Sequence, residues 1–245
     1  MSDTIRFFGL GLGPGNPDYM TVRARRVLES ADRLVHFCKR GRRGNARTIA
    51  DAIVGENPER EIALVYPVTT EIPADHPDYA AALNPFYEEA TAQLLAEIEA
   101  GRTVAVLCEG DPFFYGSFMH LWWRLKDKVP TEVVPAVSGM SGAWTRAGAP
   151  ITWGDDVLTV VPGTLPEAEL MRRLSSTDAA VVMKLGRNLP KVRAALKSAG
   201  LLERAIYVER ATMAEERIIP LPVLPDDFDA PYFSLIIVPG QGRRV

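Results

Sequence analysis

Short apolar runs alternate with stretches of helical spacing along the whole chain, and turn residues mark nearly every change between them. Residues 5–12 form an apolar run of strand length, the pattern of a strand buried on both faces in a parallel sheet. The run breaks into Gly13-Pro14-Gly15-Asn16-Pro17. Thr21 then stands as N-cap of a helix over 21–31 whose apolar face carries Val22, Val27 and Leu28. Further strands are predicted at 33–37, 61–67, 103–107 and 131–135. Helices are predicted at 48–54, from Asn84-Pro85 to a stop at Gly101, and at 118–125. The polar, proline-broken segment 68–78 reads as a lid or binding loop. Past a loop at 150–156 a second set follows. Its strands are predicted at 157–161, 179–185, 205–209 and 232–238, with a pairing segment at 217–219, and its helices at 166–174 and 189–199.

Strands alternating with helices predict an α/β fold. We expect an N-terminal α/β domain over 1–134 and a C-terminal α/β domain over 135–245, with a ligand cleft between them, because domain interfaces are favoured ligand sites. Open α/β sheets bind ligands beyond the carboxyl ends of their strands. Small-residue turns stand at such ends at 13–17, 108–117 and 136–142, and again at Leu185-Gly186 and Ala211-Thr212. The first turn fails the dinucleotide fingerprint. Counted from Gly9, Gly11 or Gly13, the sixth position holds Pro14, Asn16 or Asp18 where a small residue is needed. Pro14 and Pro17 also lack the N–H groups a pyrophosphate would take. The turn fits close approach of a ligand without a pyrophosphate.

Composition narrows the classes. Hydrophobic residues make up 47% and charged residues 24%, the mix of an ordinary soluble globular protein. A net charge of −3 and a pI of 5.7 argue against a nucleic-acid partner. Cys38 and Cys108 share no short spacing, so no disulfide framework or zinc pattern follows, and both read as buried thiols in a reducing compartment. His36, His76 and His120 are scattered, and no metal bound by the protein is expected. The N-terminus has no apolar signal core and no run approaches membrane-spanning length, which predicts a cytoplasmic protein with no membrane partner. Between 39 and 47 stand five cations, Lys39, Arg40, Arg42, Arg43 and Arg47. They form either a solvated loop or a clamp for a carboxylate-rich ligand.

Four stretches in this order and spacing resemble the tetrapyrrole methylase family of S-adenosylmethionine-dependent methyltransferases. They are Gly-Leu-Gly-Pro-Gly-Asn-Pro at 11–17, Glu-Gly-Asp-Pro-Phe-Phe-Tyr-Gly at 109–116, Val-Pro-Ala-Val-Ser-Gly-Met-Ser-Gly at 134–142 and Ser-Leu-Ile-Ile-Val at 234–238. The resemblance covers nearly the whole chain. Three features make it most similar to the precorrin-2 C20-methyltransferase branch: Tyr-Pro-Val-Thr-Thr at 66–70, the form of the second motif through Ser117, and Gly-Asn-Ala-Arg-Thr-Ile-Ala at 44–50. The family implies two α/β domains, S-adenosyl-L-methionine as methyl donor, a tetrapyrrole acceptor and a homodimer. Carried over by motif, Pro14, Gly110, Asp111, Phe114, Ser138, Gly139, Leu185 and Ala211 would line the donor pocket. Ala211 stands where many relatives have glycine, a departure that matters if the position needs φ > 0. Ser138-Gly139 replaces a common Thr-Ala pair and keeps a hydroxyl.

The implied reaction is methylation of precorrin-2 at C20 to give precorrin-3A in cobalamin biosynthesis. The donor arrives activated, so the protein's task is alignment and exclusion of water, which agrees with the lack of a defensible nucleophile–base arrangement. Asp111 is the expected catalytic residue, against the local alternative of a turn-forming Asp before Pro112. Glu109 is evenly balanced between function and structure, and no proton acceptor is named. Arg40, Arg42, Arg43, Thr69 and Thr70 are the expected substrate-binding residues, with Glu71 as a weaker one. Phe113, Phe114 and Tyr115 could wall the site, and Trp122 and Trp123 are expected to pack an interdomain helix. The alternatives are the same reaction on cobalt-precorrin-2, another ring position, an RNA-modifying methylase or a non-catalytic metabolite-binding module.

Overall fold

The structure, a computed structural model, describes residues 4–68, 77–231 and 233–242. It divides into two compact units, Met1–Gly139 and Met140–Val245. In chain order the strands are β1 Phe7–Gly11, β2 Arg33–Cys38, β3 Glu61–Val65, β4 Val104–Cys108, β5 Thr131–Val134, β6 Leu158–Pro162, β7 Ala179–Met183, β8 Ile206–Glu209, β9 Arg217–Pro220 and β10 Ser234–Val238. The α-helices are α1 Val22–Ser30, α2 Asn45–Val54, α3 Pro77–Glu99, α4 Phe118–Leu125, α5 Gly139–Arg146, α6 Glu167–Leu174 and α7 Leu189–Ser198. The expected α/β fold is the observed one.

The first unit holds an all-parallel sheet in the order β3-β2-β4-β1-β5. Its central strands β1 and β4 are buried at every position, as two-sided coverage by helices requires. Successive side chains feed opposite cores: Phe7, Val104 and Val106 pack toward α3 and α4, while Phe8, Leu10, Ala105 and Leu107 pack toward α1 and α2. Gly9 is needed inside β1 because a Cβ there would lie 2.3 Å from the Phe118 ring, which covers the strand. Thr21 caps α1 as expected, its Oγ1 accepting from the Ala24 N–H at 3.1 Å.

α3 departs from the expected start at Asn84-Pro85. It begins at Pro77 and runs through Pro85. An interior proline removes one backbone hydrogen bond and crowds the preceding turn. Here Leu83, Tyr87, Ala90, Leu94 and Ile98 form one buried stripe that spans the proline, and its packing holds the helix on both sides. Residues 69–76, which include Thr69, Thr70, Glu71 and His76, lie outside the described residues. Pro77 and Asp78, expected in the loop, are the first residues of α3.

The second unit holds a mixed sheet in the order β6-β7-β10-β8-β9. β6 and β7 are parallel, while β10 runs antiparallel to both β7 and β8. β7, β10 and β8 carry nearly all their residues buried. One face packs on α6 and α7 through Leu170, Leu174, Val192 and Leu196, and the other on Ala143 of α5. Since β10 opposes both neighbours, β7 and β8 end on the same edge of this sheet.

Candidate active site

The three glycine-containing turns of the first unit follow β1, β4 and β5, which are adjacent parallel strands with β1 in the middle. From β1 the chain moves to one side of the sheet, and from β4 it crosses to the other. The β4–β1 junction is therefore a topological switch point.

The turns are fastened to one another. The Gly110 N–H donates to the Gly13 carbonyl at 2.8 Å, and Leu12 N–H donates to the Cys108 carbonyl at 2.9 Å. Both glycines sit at left-handed φ, +89° for Gly13 and +69° for Gly110, where a side chain would be strained. Gly11 answers a different need, close approach. A Cβ there would lie 2.6 Å from Ala136 Cβ, 2.9 Å from the Gly110 carbonyl and 3.0 Å from Pro112 Cδ. Gly139 is the opposite case, with no heavy atom within 4 Å of an added Cβ. A crowded floor beneath open backbone is the shape that admits a ligand against the main chain.

Asp111 joins the second turn to the third. Its Oδ1 accepts from the Phe113 N–H at 2.9 Å and its Oδ2 from the Ala136 N–H at 3.1 Å. Both carboxylate oxygens thus hold backbone, tying the second turn to the third at the position expected to be catalytic. Phe114 is half-buried and packs on Tyr115, with ring centroids 4.8 Å apart. Phe113 is exposed and meets Trp122 edge-on at 5.0 Å. Trp123, expected to pack, is 68% exposed, with Lys126 Nζ over its ring. Pro14 is buried in the first turn, while Ser138 and Gly139 are half-exposed.

Glu109 lies at the end of β4, next to Gly110. Its Oε2 accepts from Asn45 Nδ2, at the start of α2, at 3.2 Å. Burial pushes its carboxyl up to about 7, and the Asn45 bond only partly offsets this. Cys38 and Cys108 are both buried as expected, and burial pushes both thiols up, so neither is a ready thiolate.

The basic segment separates into two parts. Arg40 and Arg42 are exposed, with no ion pair among the described residues. Arg43 instead grips Asp51 with both ends of its guanidinium, at 2.5 and 2.7 Å, and reaches Glu61 at 3.3 Å. Its availability as a clamp for substrate is correspondingly reduced. Arg47, grouped with the loop by sequence, is completely buried and pairs with Asp51 at 2.6 Å and Glu61 at 2.7 Å. The Arg47–Asp51 spacing of four on α2 was the available signal for this pairing.

In the second unit Leu185 and Ala211 follow β7 and β8 on the shared sheet edge. Leu185 is buried and Ala211 half-buried. Ala211 itself avoids positive φ, so its departure from glycine carries no strain; its neighbours Arg210 and Thr212 take φ of +47° and +70° instead. Among the described residues, the other non-glycine positions with positive φ are Lys184, beside Leu185, and Tyr115, beside Phe114. Backbone strain thus gathers next to the positions expected to bind a ligand, as it does at functional sites. The 211–216 turn is held by Glu216, which accepts from the Thr212 N–H at 2.7 Å and is gripped by Arg146 of α5 at 2.8–3.0 Å. Sequence reading missed this Arg146–Glu216 brace.

Comparison with known proteins supplies a frame for this geometry. The profile of the tetrapyrrole (corrin/porphyrin) methylases matches residues 6–224. A protein from Sinorhizobium sp named precorrin-2 C(20)-methyltransferase is 51% identical over 240 residues, covering 98% of this chain and 97% of that one. The cobalt-precorrin-2 C(20)-methyltransferase of Salmonella typhimurium is 34% identical, covering 96% and 97% of the two chains. Among solved structures, a uroporphyrin-III C-methyltransferase from Thermus thermophilus in complex with S-adenosylhomocysteine superposes with a TM-score of 0.67. It is 22% identical, and the match covers 96% of this chain and 92% of that one.

Proposed function

The chain belongs to the tetrapyrrole methylase family, and we propose that it is the S-adenosylmethionine-dependent C-methyltransferase that converts precorrin-2 to precorrin-3A by methylation at C20 in cobalamin biosynthesis. The observation that carries this reading is the 51% identity to a precorrin-2 C20-methyltransferase, sustained over nearly the full length of both chains. Cobalt-precorrin-2 is the second reading, supported by the 34% identity to the Salmonella enzyme. Under the second reading the cobalt arrives inside the acceptor.

The donor supplies a methyl group already activated on a sulfonium, so the barrier falls chiefly through alignment, worth roughly 7–11 kcal/mol when the geometry is held. The fastened turns suit that task. Gly139 offers open backbone, Gly110 supplies the left-handed turn, Gly11 lets the three turns close up, and Asp111 keeps the second and third in register. Pro14, Phe114, Ser138, Leu185 and Ala211 complete the proposed donor-binding set on the strength of the motifs they belong to. Arg40 and Arg42 are proposed to meet the carboxylates of the acceptor, because their guanidinium groups are exposed and uncommitted. Thr69 and Thr70 are proposed for the same role on the strength of the motif they belong to. We read the protein as a cytoplasmic homodimer acting on a small molecule and on neither nucleic acid nor membrane; the net charge of −3 supports the exclusion of nucleic acid.

The test is a comparison of kcat/KM on precorrin-2 and on cobalt-precorrin-2 under anaerobic conditions. A clear preference for the metal-free ring is expected. A preference for the cobalt complex favours the second reading, and turnover of neither contradicts both.

A further inference from the structure

Methylation of a ring carbon that carries hydrogen leaves a proton to be removed, and that proton needs an acceptor. We infer that Glu109 is the general base that takes the proton from C20 after methyl transfer. The inference rests on the C20-methyltransferase reading. In balanced form, the C20–CH₃ bond forms as the S–CH₃ bond breaks with its electron pair going to sulfur. The C20–H bond then gives its proton to a Glu109 carboxylate oxygen, and its electrons restore the ring double bond.

Three observations converge on this residue. Glu109 stands at the carboxyl end of β4, one residue before Gly110, on the edge where the fastened turns meet. Only Oε2 is held, by Asn45 at 3.2 Å, and among the described residues Oε1 has no hydrogen-bond partner. The side chain is half-buried rather than sealed, and Oε1 is not among the fully buried side-chain atoms left without a partner. Its surroundings also suit proton uptake near neutrality. Burial lifts the carboxyl to about 7, close to the value that makes a base effective at that pH. Among the described residues no formal charge contributes to its shift, and its side-chain hydrogen bond is to the neutral Asn45 amide. Cys108 and Asp111 flank it on its own loop. The cations of α2 and its entry, Arg43 and Arg47, are paired with Asp51 and Glu61. Asp111 is the other carboxylate nearby, and both its oxygens already hold backbone amides.

The experiment compares wild type, Glu109→Gln and Asn45→Ala. The glutamine side chain keeps the size of the glutamate and can still accept from Asn45, so S-adenosylhomocysteine affinity should stay within about twofold of wild type. Turnover of precorrin-2 should fall about 100-fold or more, the usual loss on removing a general base, and the acid limb of the kcat profile near pH 7 should vanish. In Asn45→Ala that limb should move to higher pH, since a bond favouring the charged form is gone. Independently of turnover, ¹³C-carboxyl NMR of glutamate-labelled apoenzyme should show one resonance titrating near 7 that disappears in Glu109→Gln. Near-wild-type turnover with an unchanged acid limb in Glu109→Gln, or a Glu109 resonance titrating near 4.5, overturns the inference. Failure of wild type to methylate precorrin-2 at all marks instead the failure of the underlying functional reading.

Discussion

Replacing Asp111 separates a residue that shapes the site from one that does the chemistry. In Asp111→Ala the Phe113 and Ala136 N–H groups both lose their acceptor. A buried donor left unpaired costs about 1–3 kcal/mol, and Asp111 is half-buried, so water recovers part of the loss and roughly 2–4 kcal/mol remains for the pair. At about 2–4 °C per kcal/mol for a chain of this size, the melting temperature should drop by about 4–16 °C. Asp111→Asn should lie between. Its single oxygen can keep one of the two amides, while its NH₂ group meets the other donor to donor. The assay is thermal melting in parallel with calorimetric titration of S-adenosylhomocysteine and steady-state kinetics. The expected order is wild type, Asn, Ala in both stability and donor affinity, with turnover following affinity. An Asp111→Asn protein that melts like wild type and binds donor normally, yet loses turnover at saturating donor, would refute the reasoning and return Asp111 to the chemical step.

Gly139→Ala meets no atom within 4 Å and no positive φ, so the fold should be unchanged, whereas S-adenosylhomocysteine affinity should fall at least tenfold; unchanged affinity removes Gly139 from the donor site. Gly11→Ala drives a Cβ into three close neighbours and should destabilise by about 1–3 kcal/mol in chemical denaturation. Charge reversal at Arg40 and Arg42 should raise KM for precorrin-2 and leave donor affinity alone, while reversal at Arg43 should lower stability first, because it breaks the grip on Asp51; equal KM in the Arg40/Arg42 variant restores the solvated-loop reading. Glu109→Gln should also alter stability with pH. The folded carboxyl lies above its ordinary 4.5, at about 7, so wild type loses stability as pH rises through that window, by at most about 3 kcal/mol and less for a half-buried group. The variant should match wild type at pH 4.5 and melt higher at pH 8, and a constant difference across that range contradicts the shift.

Much of this architecture was legible in the chain because burial on two faces writes itself as unbroken apolar runs, as in β1 and β4. The turn chemistry was equally plain: Thr21 caps α1, and the glycines at 11–15 and 110 mark strand ends. What sequence concealed has specific causes. Pro85 reads as a helix start by local rules, and only the packing of Leu83 and Tyr87 on either side of it carries α3 through. Arg47 sits in a run of cations, and its burial depends on Glu61, which a distant strand delivers. The antiparallel course of β10 between β7 and β8 leaves no mark on an apolar pentapeptide. In the candidate site the sequence named the turns but not how their carboxylates are held. Asp111 and Glu109 stand two residues apart in one motif, and only the amides around the first and the burial of the second distinguish them.

The central claim is tested most directly by locating the transferred methyl. Incubation with precorrin-2 and S-adenosylmethionine carrying a ¹³C-methyl group, followed by NMR of the isolated product, should place all of the label on C20. Label at any other ring carbon would contradict the account.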